Sequence, residues 1–211
     1  MCPLIVRIED AGPDRKARRL VFDDGSESRL TSAAAVKSLG IAEGLSVSGS
    51  ILEASLAEVE LPLAKERALM LLGYRDRSRA ELARKLHDAG YPTAVSAQVV
   101  ERFVEIELVD DERFAAAWVR TRAAAGYGAR RIGQELAQKG IDPDTAAAAL
   151  EPIAGSDEQL ARARAVLRER VPADRKERDK FVRRLVTKGF SLQTAIQALE
   201  TASDDEEDPD A

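Results

Sequence analysis

Apolar residues recur at helical spacing in three parts of this 211-residue chain, each time just before a glycine. In each part, one apolar residue lies four positions before the glycine and another lies eight positions before it. Residues four apart share one face of a helix, so each part predicts a helix that buries one side. The glycines are Gly90, Gly140 and Gly189, which are 50 and 49 residues apart. This spacing predicts a tandem array of similar helical units.

The residues around these glycines predict how each unit continues. Glycine readily takes the left-handed conformation that ends a helix, and an apolar residue just after it packs back on the last turn. The apolar residues before the glycines are Leu82 and Leu86, Ile132 and Leu136, and Phe181 and Leu185; those just after them are Tyr91, Ile141 and Phe190. Ten positions beyond each glycine, another apolar residue predicts a further helix. These residues are Val100, Leu150 and Leu199.

Helix-capping residues place the boundaries of the predicted helices. Pairs with the spacing of a capping box are Ser78 and Glu81, Ser156 and Gln159, and Asp174 and Glu177. Proline suits the first turn of a helix, so Asp142-Pro143 is predicted to start the closing helix of the second unit, as Thr93 does in the first. The predicted helices span residues 64–74, 79–89, 94–108, 112–124, 130–139, 144–153, 157–170, 175–188 and 192–201.

The first 61 residues lack this repeat and predict a small β-containing element. The strand candidates are Leu4–Glu9, Arg18–Phe22 and Ser28–Leu30. The segment Asp23-Asp24-Gly25-Ser26 suits a hairpin turn. Ser32 is predicted to cap a short helix that Gly40 ends. A second helix over residues 49–61 is predicted to stop near Pro62.

The predicted fold class is all-α. Three tandem three-helix repeats form an elongated curved array, and the β-containing element precedes them. The predicted divisions are 1–61 for the N-terminal element, 62–109, 110–155 and 156–203 for the three repeats, and 204–211 for a disordered acidic tail.

Composition supports a helical protein and shows where charge collects. Hydrophobic residues make up 45% of the chain but aromatic residues only 4%, which favours helices packed through small and aliphatic side chains. The formal net charge is −5, yet residues 204–211 alone carry six acids and no base. Residues 156–203 carry 11 basic and 7 acidic side chains. Positive charge therefore collects in the third repeat, directly before a tail with too little apolar content to fold.

The sequence also predicts a soluble protein of the cytoplasm. No apolar run approaches the roughly 18 residues of a membrane span, so we expect no membrane partner. The first residues lack the basic flank and the long apolar stretch of a secretory signal. Cys2 is the only cysteine, which excludes an intrachain disulfide and fits a reducing compartment.

Few residues suit catalysis or metal binding. His87 is the only histidine and is expected on a solvated helix face, and one His with one Cys leaves no zinc site of the usual spacing. Gly126-Tyr127-Gly128 is too short for a dinucleotide-binding loop and is interpreted as a turn. Asp110-Asp111-Glu112 is interpreted as the negative charge that stabilises the start of the next helix. Phe114 and Trp118, four residues apart, are predicted to lie in the core. We expect no enzymatic activity, no cofactor and no metal.

The basic residues are the candidates for partner binding. Four of them recur at intervals of four: Lys176, Lys180, Arg184 and Lys188. This spacing puts them along one side of a helix, where like charges are unfavourable without an anionic partner. Any one basic residue taken singly also suits an intramolecular ion pair or a solvated face. The candidate partner-binding residues are Arg75, Arg77, Arg120, Arg122, Arg130, Arg131, Lys139, Arg175, Lys176, Lys180, Arg183, Arg184 and Lys188.

Three motifs follow one another along the repeats. The first is Arg75-Asp76-Arg77-Ser78-Arg79-Ala80-Glu81-Leu82, with Leu86 and Gly90 beyond it. The second is Leu108-Val109-Asp110-Asp111-Glu112-Arg113-Phe114-Ala115, followed by Gly128, Ile132, Glu135-Leu136 and Lys139-Gly140-Ile141. The third is Lys188-Gly189-Phe190. Their order and spacing resemble the repeat signatures of the RecX family, regulators of the RecA recombinase, over residues 62–200. Tyr127 departs from the small or charged residue usual at its position, and a long acidic tail is not part of the family pattern.

The resemblance implies a protein that is not an enzyme and that regulates RecA, mainly negatively, in DNA repair, homologous recombination and the SOS response. It implies binding in the helical groove of the RecA filament on DNA, with modulation of its ATPase, strand-exchange and coprotease activities. We expect a monomer whose partner is this filament, with weak direct DNA binding left open. The basic third repeat also allows a second interpretation, a helical-repeat protein that binds DNA directly without filament preference. A pure interaction scaffold would bind neither.

Overall fold

The structure is a computed structural model that describes residues 2–167 and 172–207, with residues 201–207 described by their backbone alone. The chain divides into two compact units, Met1–Asp110 and Asp111–Ala211. The first unit holds β1 (Ile5–Ala11), β2 (Ala17–Phe22), β3 (Arg29–Ser32), α1 (Ala33–Ser38), α2 (Gly49–Tyr74), α3 (Arg79–Asp88) and α4 (Thr93–Glu105). The second unit holds α5 (Asp111–Ala124), α6 (Ala129–Gln138), α7 (Pro143–Ala154), α8 (Ser156–Leu167), α9 (Arg175–Lys188) and α10 (Leu192–Glu207).

The N-terminal element is an antiparallel sheet in the order β1-β2-β3, which confirms the three predicted strands. Its buried face packs Ile5 and Leu20 against Leu56 of α2, all of them fully buried. The Ser32 side chain accepts a hydrogen bond from the Ala35 N–H and so starts α1, as predicted. The sheet is therefore anchored on the first half of α2 rather than standing apart from the repeats.

The predicted stop near Pro62 is wrong, because α2 runs without interruption from Gly49 to Tyr74. Proline removes one backbone hydrogen bond from a helix, and this cost is offset where both flanking segments are held by packing. Before Pro62, α2 buries Leu56 against the sheet; after it, Ala64 and Ala68 are fully buried against the first repeat. One helix thus belongs to both the N-terminal element and the first repeat.

The glycine turns agree with the prediction in all three repeats. Gly90, Gly140 and Gly189 have φ values of 91°, 75° and 97°, the left-handed region that glycine favours. The residue after each glycine donates its N–H to the carbonyl of the leucine five positions earlier, at 3.2 Å, 3.1 Å and 3.1 Å. The same residues, Tyr91, Ile141 and Phe190, are 3%, 5% and 1% exposed. Each middle helix thus ends in the hydrogen-bonded turn that the sequence pattern indicates.

Two of the three predicted capping boxes have the expected side-chain hydrogen bond, and one does not. The Ser78 hydroxyl accepts from the Glu81 N–H at 3.1 Å, and Asp174 accepts from the Glu177 N–H at 2.7 Å, as predicted. The predicted box at Ser156 is not formed, because α8 already begins at Ser156 and the Gln159 N–H donates to the Gly155 carbonyl. The Gln159 side chain instead bonds the Ile153 carbonyl and the Ala129 N–H. It therefore ties the ends of two other helices together.

The helices of the second and third repeats follow the predicted order, with two differences at the ends. The predicted end of α8 at residue 170 falls in 168–171, outside the described residues. The last helix, α10, continues to Glu207 instead of ending at 201, so the backbone of residues 204–207, the first half of the predicted tail, is helical. Residues 208–211 lie outside the part that the structure describes.

Candidate interaction surface of the repeats

Two of the candidate basic residues hold the turn between α2 and α3. Arg75 donates to both carboxylate oxygens of Glu81, at 3.0 Å and 3.1 Å, and this pairing raises the pKa of the Arg75 guanidinium. The Arg77 Nε donates to the Leu71 carbonyl at 3.3 Å, and burial lowers its pKa. The bidentate geometry is the strong form of an arginine–carboxylate pair. Both side chains therefore have a structural role in the first repeat.

In the second repeat, Glu135 gathers several predicted residues. Its carboxylate accepts from Arg122 at 2.6 Å and 2.5 Å, from the Arg131 Nε at 3.3 Å and from the Trp118 Nε1 at 3.1 Å. Burial alone would raise the pKa of Glu135, but these hydrogen bonds and the Arg122 charge together lower it. One carboxylate thus orients two arginines and the single tryptophan.

The ring of Tyr127 contacts the same two arginines, Arg122 and Arg131. The Arg122 guanidinium lies 3.9 Å from the centre of its ring, the Lys188 Nζ 4.6 Å and the Arg131 guanidinium 5.0 Å. These distances are within the range of cation–π attraction. We call the set around Glu135 and Tyr127 the aromatic–cation cluster; its members are Trp118, Arg122, Tyr127, Arg131, Glu135 and Lys188, with Lys139 joined through the Trp118 ring. Sequence reasoning missed Tyr127 and Glu135 as its centres, because their partners come from three different helices.

The aromatic residues of α5 frame this cluster. The Phe114 and Trp118 rings stack with centroids 6.1 Å apart, and the Lys139 Nζ lies 4.0 Å from the centre of the Trp118 ring. Phe114 is 6% exposed and packs in the core of the second repeat, as predicted. Trp118 is only partly buried and packs against that core. Lys139 is therefore held against aromatic faces as well.

The third repeat presents its basic residues differently. Lys176, Lys180 and Arg184 are exposed along α9, and among the described residues no carboxylate pairs with them. We call these three residues the α9 stripe. Arg178 on the same helix is instead paired with Glu200 at 3.1 Å, and Lys188 at the end of the helix belongs to the aromatic–cation cluster. Of the four basic residues predicted to share one side of the helix, three are thus exposed without a carboxylate partner among the described residues, and Lys188 contacts the Tyr127 ring.

The remaining candidates are open or only weakly held. Arg120 and Arg130 are exposed on α5 and α6, and Arg175 is exposed in the first turn of α9. Arg183 is exposed and donates to the Asp179 carbonyl of its own helix at 3.1 Å. The structure therefore separates the thirteen candidates into a structural pair, an aromatic–cation cluster and a set of open cations that is densest on α9.

A groove of about 390 Å³ lies where α9 meets α8 and the end of α5. The basic side chains that line it are Arg162, Arg184 and Lys188; its other lining residues are Ala123, Ala124, Ala125, Gly126, Ala165 and Val166. Arg162 donates to the Ala123 carbonyl at 3.0 Å and to the Tyr127 carbonyl at 2.7 Å, and burial lowers its pKa. Sequence reasoning did not select Arg162, since nothing local shows that α8 faces the turn after α5. We call this space the α8–α9 groove.

A second groove of about 400 Å³ lies between α6 and the end of α9. It is lined by Arg130, Arg131 and Glu135 beside Thr187 and Gly189, among others. The Arg131 guanidinium donates to the Thr187 carbonyl at 3.2 Å and so crosses it. Because an acid lines this groove and one arginine spans it, it is less suited to an anion than the α8–α9 groove.

The residues considered for catalysis lie on a helix surface, in a turn and at the start of a helix. His87 is exposed on α3, Gly126-Tyr127-Gly128 forms the turn between α5 and α6, and Asp111 and Glu112 lie in the first turn of α5. Among the side chains that the structure describes, in residues 2–167 and 172–200, no group of three or more His, Cys, Asp or Glu is placed to hold a metal ion. None of the helices in the described part of the chain is both long and apolar enough to cross a membrane.

The fold and its surface define the class of tandem helical-repeat proteins with an open basic face. Residues 64–103 match the first three-helix domain of RecX, and residues 110–150 match the second. The chain is 44% identical over 129 residues to the regulatory protein RecX of Mycolicibacterium smegmatis, covering 58% of this chain and 68% of that protein. It is 37% identical over 163 residues to the RecX of Corynebacterium efficiens, covering 71% and 78%. The chain belongs to the RecX family of regulatory proteins.

Solved structures show the same fold. A crystal structure of regulatory protein RecX matches 96% of this chain and 99% of its own, with a TM-score of 0.59 and 23% identity. The RecX of Lactobacillus salivarius matches 67% of this chain and 97% of its own, with a TM-score of 0.59 and 25% identity. The architecture of three-helix units is therefore shared with crystallised members of the family.

Proposed function

We propose that this protein regulates the RecA recombinase, mainly negatively, by binding the RecA filament on DNA as a monomer in the cytoplasm. Binding in the filament groove would lower ATP turnover, strand exchange and repressor cleavage, and so restrain recombination and the SOS response. The family membership supports this proposal, because the two matched three-helix domains cover the repeats that carry the candidate residues. No chemical step of its own is needed, since a bound protein changes filament activity through differential affinity.

The open cations of the third repeat are the observation in the structure that carries the proposal. They are densest on α9, whose buried side packs Phe181 and Leu185 in the core of the third repeat at 7% and 0% exposure. Positively charged side chains without internal partners favour an anionic surface, and a filament on DNA offers both phosphates and acidic protein. The aromatic–cation cluster supports them by fixing the start of α6 against the end of α9.

The test is a titration of the protein into RecA bound to single-stranded DNA. The rate of ATP hydrolysis is measured at each point of the titration. We expect turnover to fall at amounts up to about one protein per RecA, and the protein alone to hydrolyse no ATP. Reversing two charges, Lys180→Glu with Arg184→Glu, should weaken this effect. Ala148→Glu on an exposed position of α7 is the control for an added acid. Unchanged turnover over a wide titration with the cognate recombinase would contradict the proposal.

The same open cations favour one second candidate, direct binding of DNA without filament preference. The two functions differ in what the protein prefers when strand and filament are offered at equal concentration. A higher affinity for the filament than for the bare strand supports the regulator. Equal affinity, together with unchanged RecA activity, would support the DNA-binding protein instead.

A further inference from the structure

The α8–α9 groove differs in charge from the two other grooves described in the second unit. Its lining has three basic side chains and no acid, whereas the groove beside α10 combines Arg175 and Arg178 with Asp174, Asp179 and Glu200. Small residues form the rest of its wall. At Gly126 a β-carbon would lie 2.9 Å from the Val166 side chain, so the turn approaches α8 as closely as glycine allows. The groove therefore carries positive charge between walls of small side chains.

Backbone carbonyls hold two of the cations of the groove. Arg162 is fixed by two carbonyls, and the Lys188 Nζ lies 3.5 Å from the Ala125 carbonyl. These contacts also offset the partial negative charge of the carbonyls at the end of α5. Arg184 reaches the groove from α9 without a carboxylate partner among the described residues. An anion entering here meets donors that are already oriented.

The α9 stripe continues this positive surface along the helix. Lys176, Lys180 and Arg184 follow one another at intervals of four residues, which is about 6 Å along a helix. That distance is similar to the separation of neighbouring phosphates in an extended single strand. An acidic protein surface fits less well, because protein interfaces depend on apolar and aromatic anchors, and the groove offers only Ala, Gly and Val beside its cations.

We infer that the α8–α9 groove and the α9 stripe hold the sugar–phosphate backbone of a single nucleic-acid strand. The site binds charge without recognising sequence. None of the lining residues named for the groove is aromatic, and three cations already lie within 5.0 Å of the centre of the Tyr127 ring, where a base would stack. This inference rests on the proposed function and deepens it, because it names the component of the filament that the third repeat touches. Lys188 and Arg162 position the groove, and the stripe adds contacts along the strand.

The experiment measures binding of a labelled single-stranded oligonucleotide of mixed sequence by fluorescence anisotropy, at several salt concentrations. Ala165→Glu puts an acid into the groove at an exposed position of α8, and Ala165→Gln controls for its size. Ala148→Glu controls for the added charge. We expect Ala165→Glu to weaken binding by at least about tenfold at low salt, with the two controls within about twofold of wild type.

The contribution of the α9 stripe is measured by how the affinity for the single strand depends on salt concentration. Each phosphate contact on a single strand contributes about 0.7 to the slope of log affinity against log salt concentration. Removing two contacts with Lys180→Ala and Arg184→Ala should therefore reduce that slope by about 1.4. Arg178→Ala, which removes a cation that is paired with Glu200, is the matched control and should leave the slope nearly unchanged.

The outcomes separate this inference from the proposed function. Wild-type binding with an unchanged slope in the groove and stripe variants overturns the inference, even if the protein still lowers RecA turnover. If Ala165→Glu loses filament binding but still binds the bare strand, the groove contacts an acidic protein surface. That result also overturns the inference. Groove-dependent strand binding without any effect on RecA would support the inference and end the proposed regulation. Failure of the wild type to bind any strand overturns the inference.

Discussion

Gly128 and Gly189 touch backbone to backbone: a β-carbon on Gly128 would lie 2.5 Å from the Gly189 carbonyl oxygen. The Gly128 N–H donates to the Lys188 carbonyl at 2.9 Å. The glycine that ends α9 in the third repeat therefore rests on the glycine that starts α6 in the second. Gly90 of the first repeat meets the N-terminal sheet in a similar way, with the position of its β-carbon 2.3 Å from the Thr31 carbonyl oxygen. Neither Gly128 nor Gly90 therefore has room for a β-carbon, because the backbone of another element lies against it.

Gly128→Ala should destabilise the second unit. Its φ of −82° suits alanine, so the cost comes from the clash with the Gly189 backbone and not from strain at residue 128. Overpacking of this kind costs about 1–3 kcal/mol. Gly73→Ala is the matched control, because it lies in α2 with nothing within 4 Å of the new methyl group and should stabilise by about 0.5–1 kcal/mol. Urea unfolding measures both, and equal stability of the two variants would contradict the close contact.

Glu60 should make the stability of the first unit depend on pH. Its side chain is 2% exposed, and its carboxylate accepts from the Thr31 hydroxyl at 2.8 Å. Burial raises its pKa above 4.5, against the opposing effects of Thr31 and Arg29. A raised pKa in the folded state gives stability that is complete below the unfolded value and is lost as the pH rises through the folded one. Wild type should therefore lose stability relative to Glu60→Gln as the pH rises from 4.5 toward neutrality.

The measurement for Glu60 is the unfolding free energy of both proteins across that pH range. The difference between them isolates Glu60 from the other titrating groups. A difference that does not change with pH would show that Glu60 is not held in a desolvated site. Glu58→Gln, two residues earlier and exposed, is the control for the loss of one carboxylate from α2.

Glu135 should have the opposite pH dependence. Its lowered pKa gives stability that is present above 4.5 and is lost as the pH falls through the folded value. Glu135→Gln removes the charge that Arg122 and Arg131 share and should cost about 2 kcal/mol, the scale of a hydrogen bond to a charged group. Trp118, the only tryptophan, reports the change through its fluorescence because its Nε1 donates to Glu135.

Glu151→Gln on the exposed side of α7 is the matched control for Glu135→Gln. It should change stability by less than about 0.5 kcal/mol and leave the Trp118 emission unaltered. An unchanged emission spectrum in Glu135→Gln as well would mean that the carboxylate does not hold the indole. The aromatic–cation cluster would then lack its centre.

Deleting residues 204–211 should strengthen binding of anionic partners, most of all at low salt. The removed segment carries six acids, and Glu200 just before it is already paired with Arg178 of α9 at 3.1 Å. Tethered acids compete with a ligand for nearby cations, and salt screens this competition. A variant with the same acids changed to Asn and Gln controls for chain length and should behave like the deletion. Equal affinity of all three proteins at every ionic strength would leave the tail without a competitive role.

Much of the fold could be predicted because it follows from local rules. The three glycine turns, the middle helices and the caps at Ser78 and Asp174 each depend on residues fewer than ten positions apart. Pro62 shows the limit of such rules: its local tendency to end a helix is outweighed by packing on both sides of it. Ser156 shows the same limit, because the backbone of Gly155 and the contacts of Gln159 decide how α8 begins.

The sequence by itself determined the repeat, its helical period, the family resemblance and the concentration of basic residues in the third repeat. Only the tertiary structure decided which of those residues are open. Arg75 and Arg122 are paired with carboxylates, and Lys188 is held at Tyr127, 61 positions away in sequence, while the α9 stripe has no such partner among the described residues. The physical reason is that the energy of a charge depends on the groups within a few ångströms of it, and helix packing brings those groups together from distant parts of the chain.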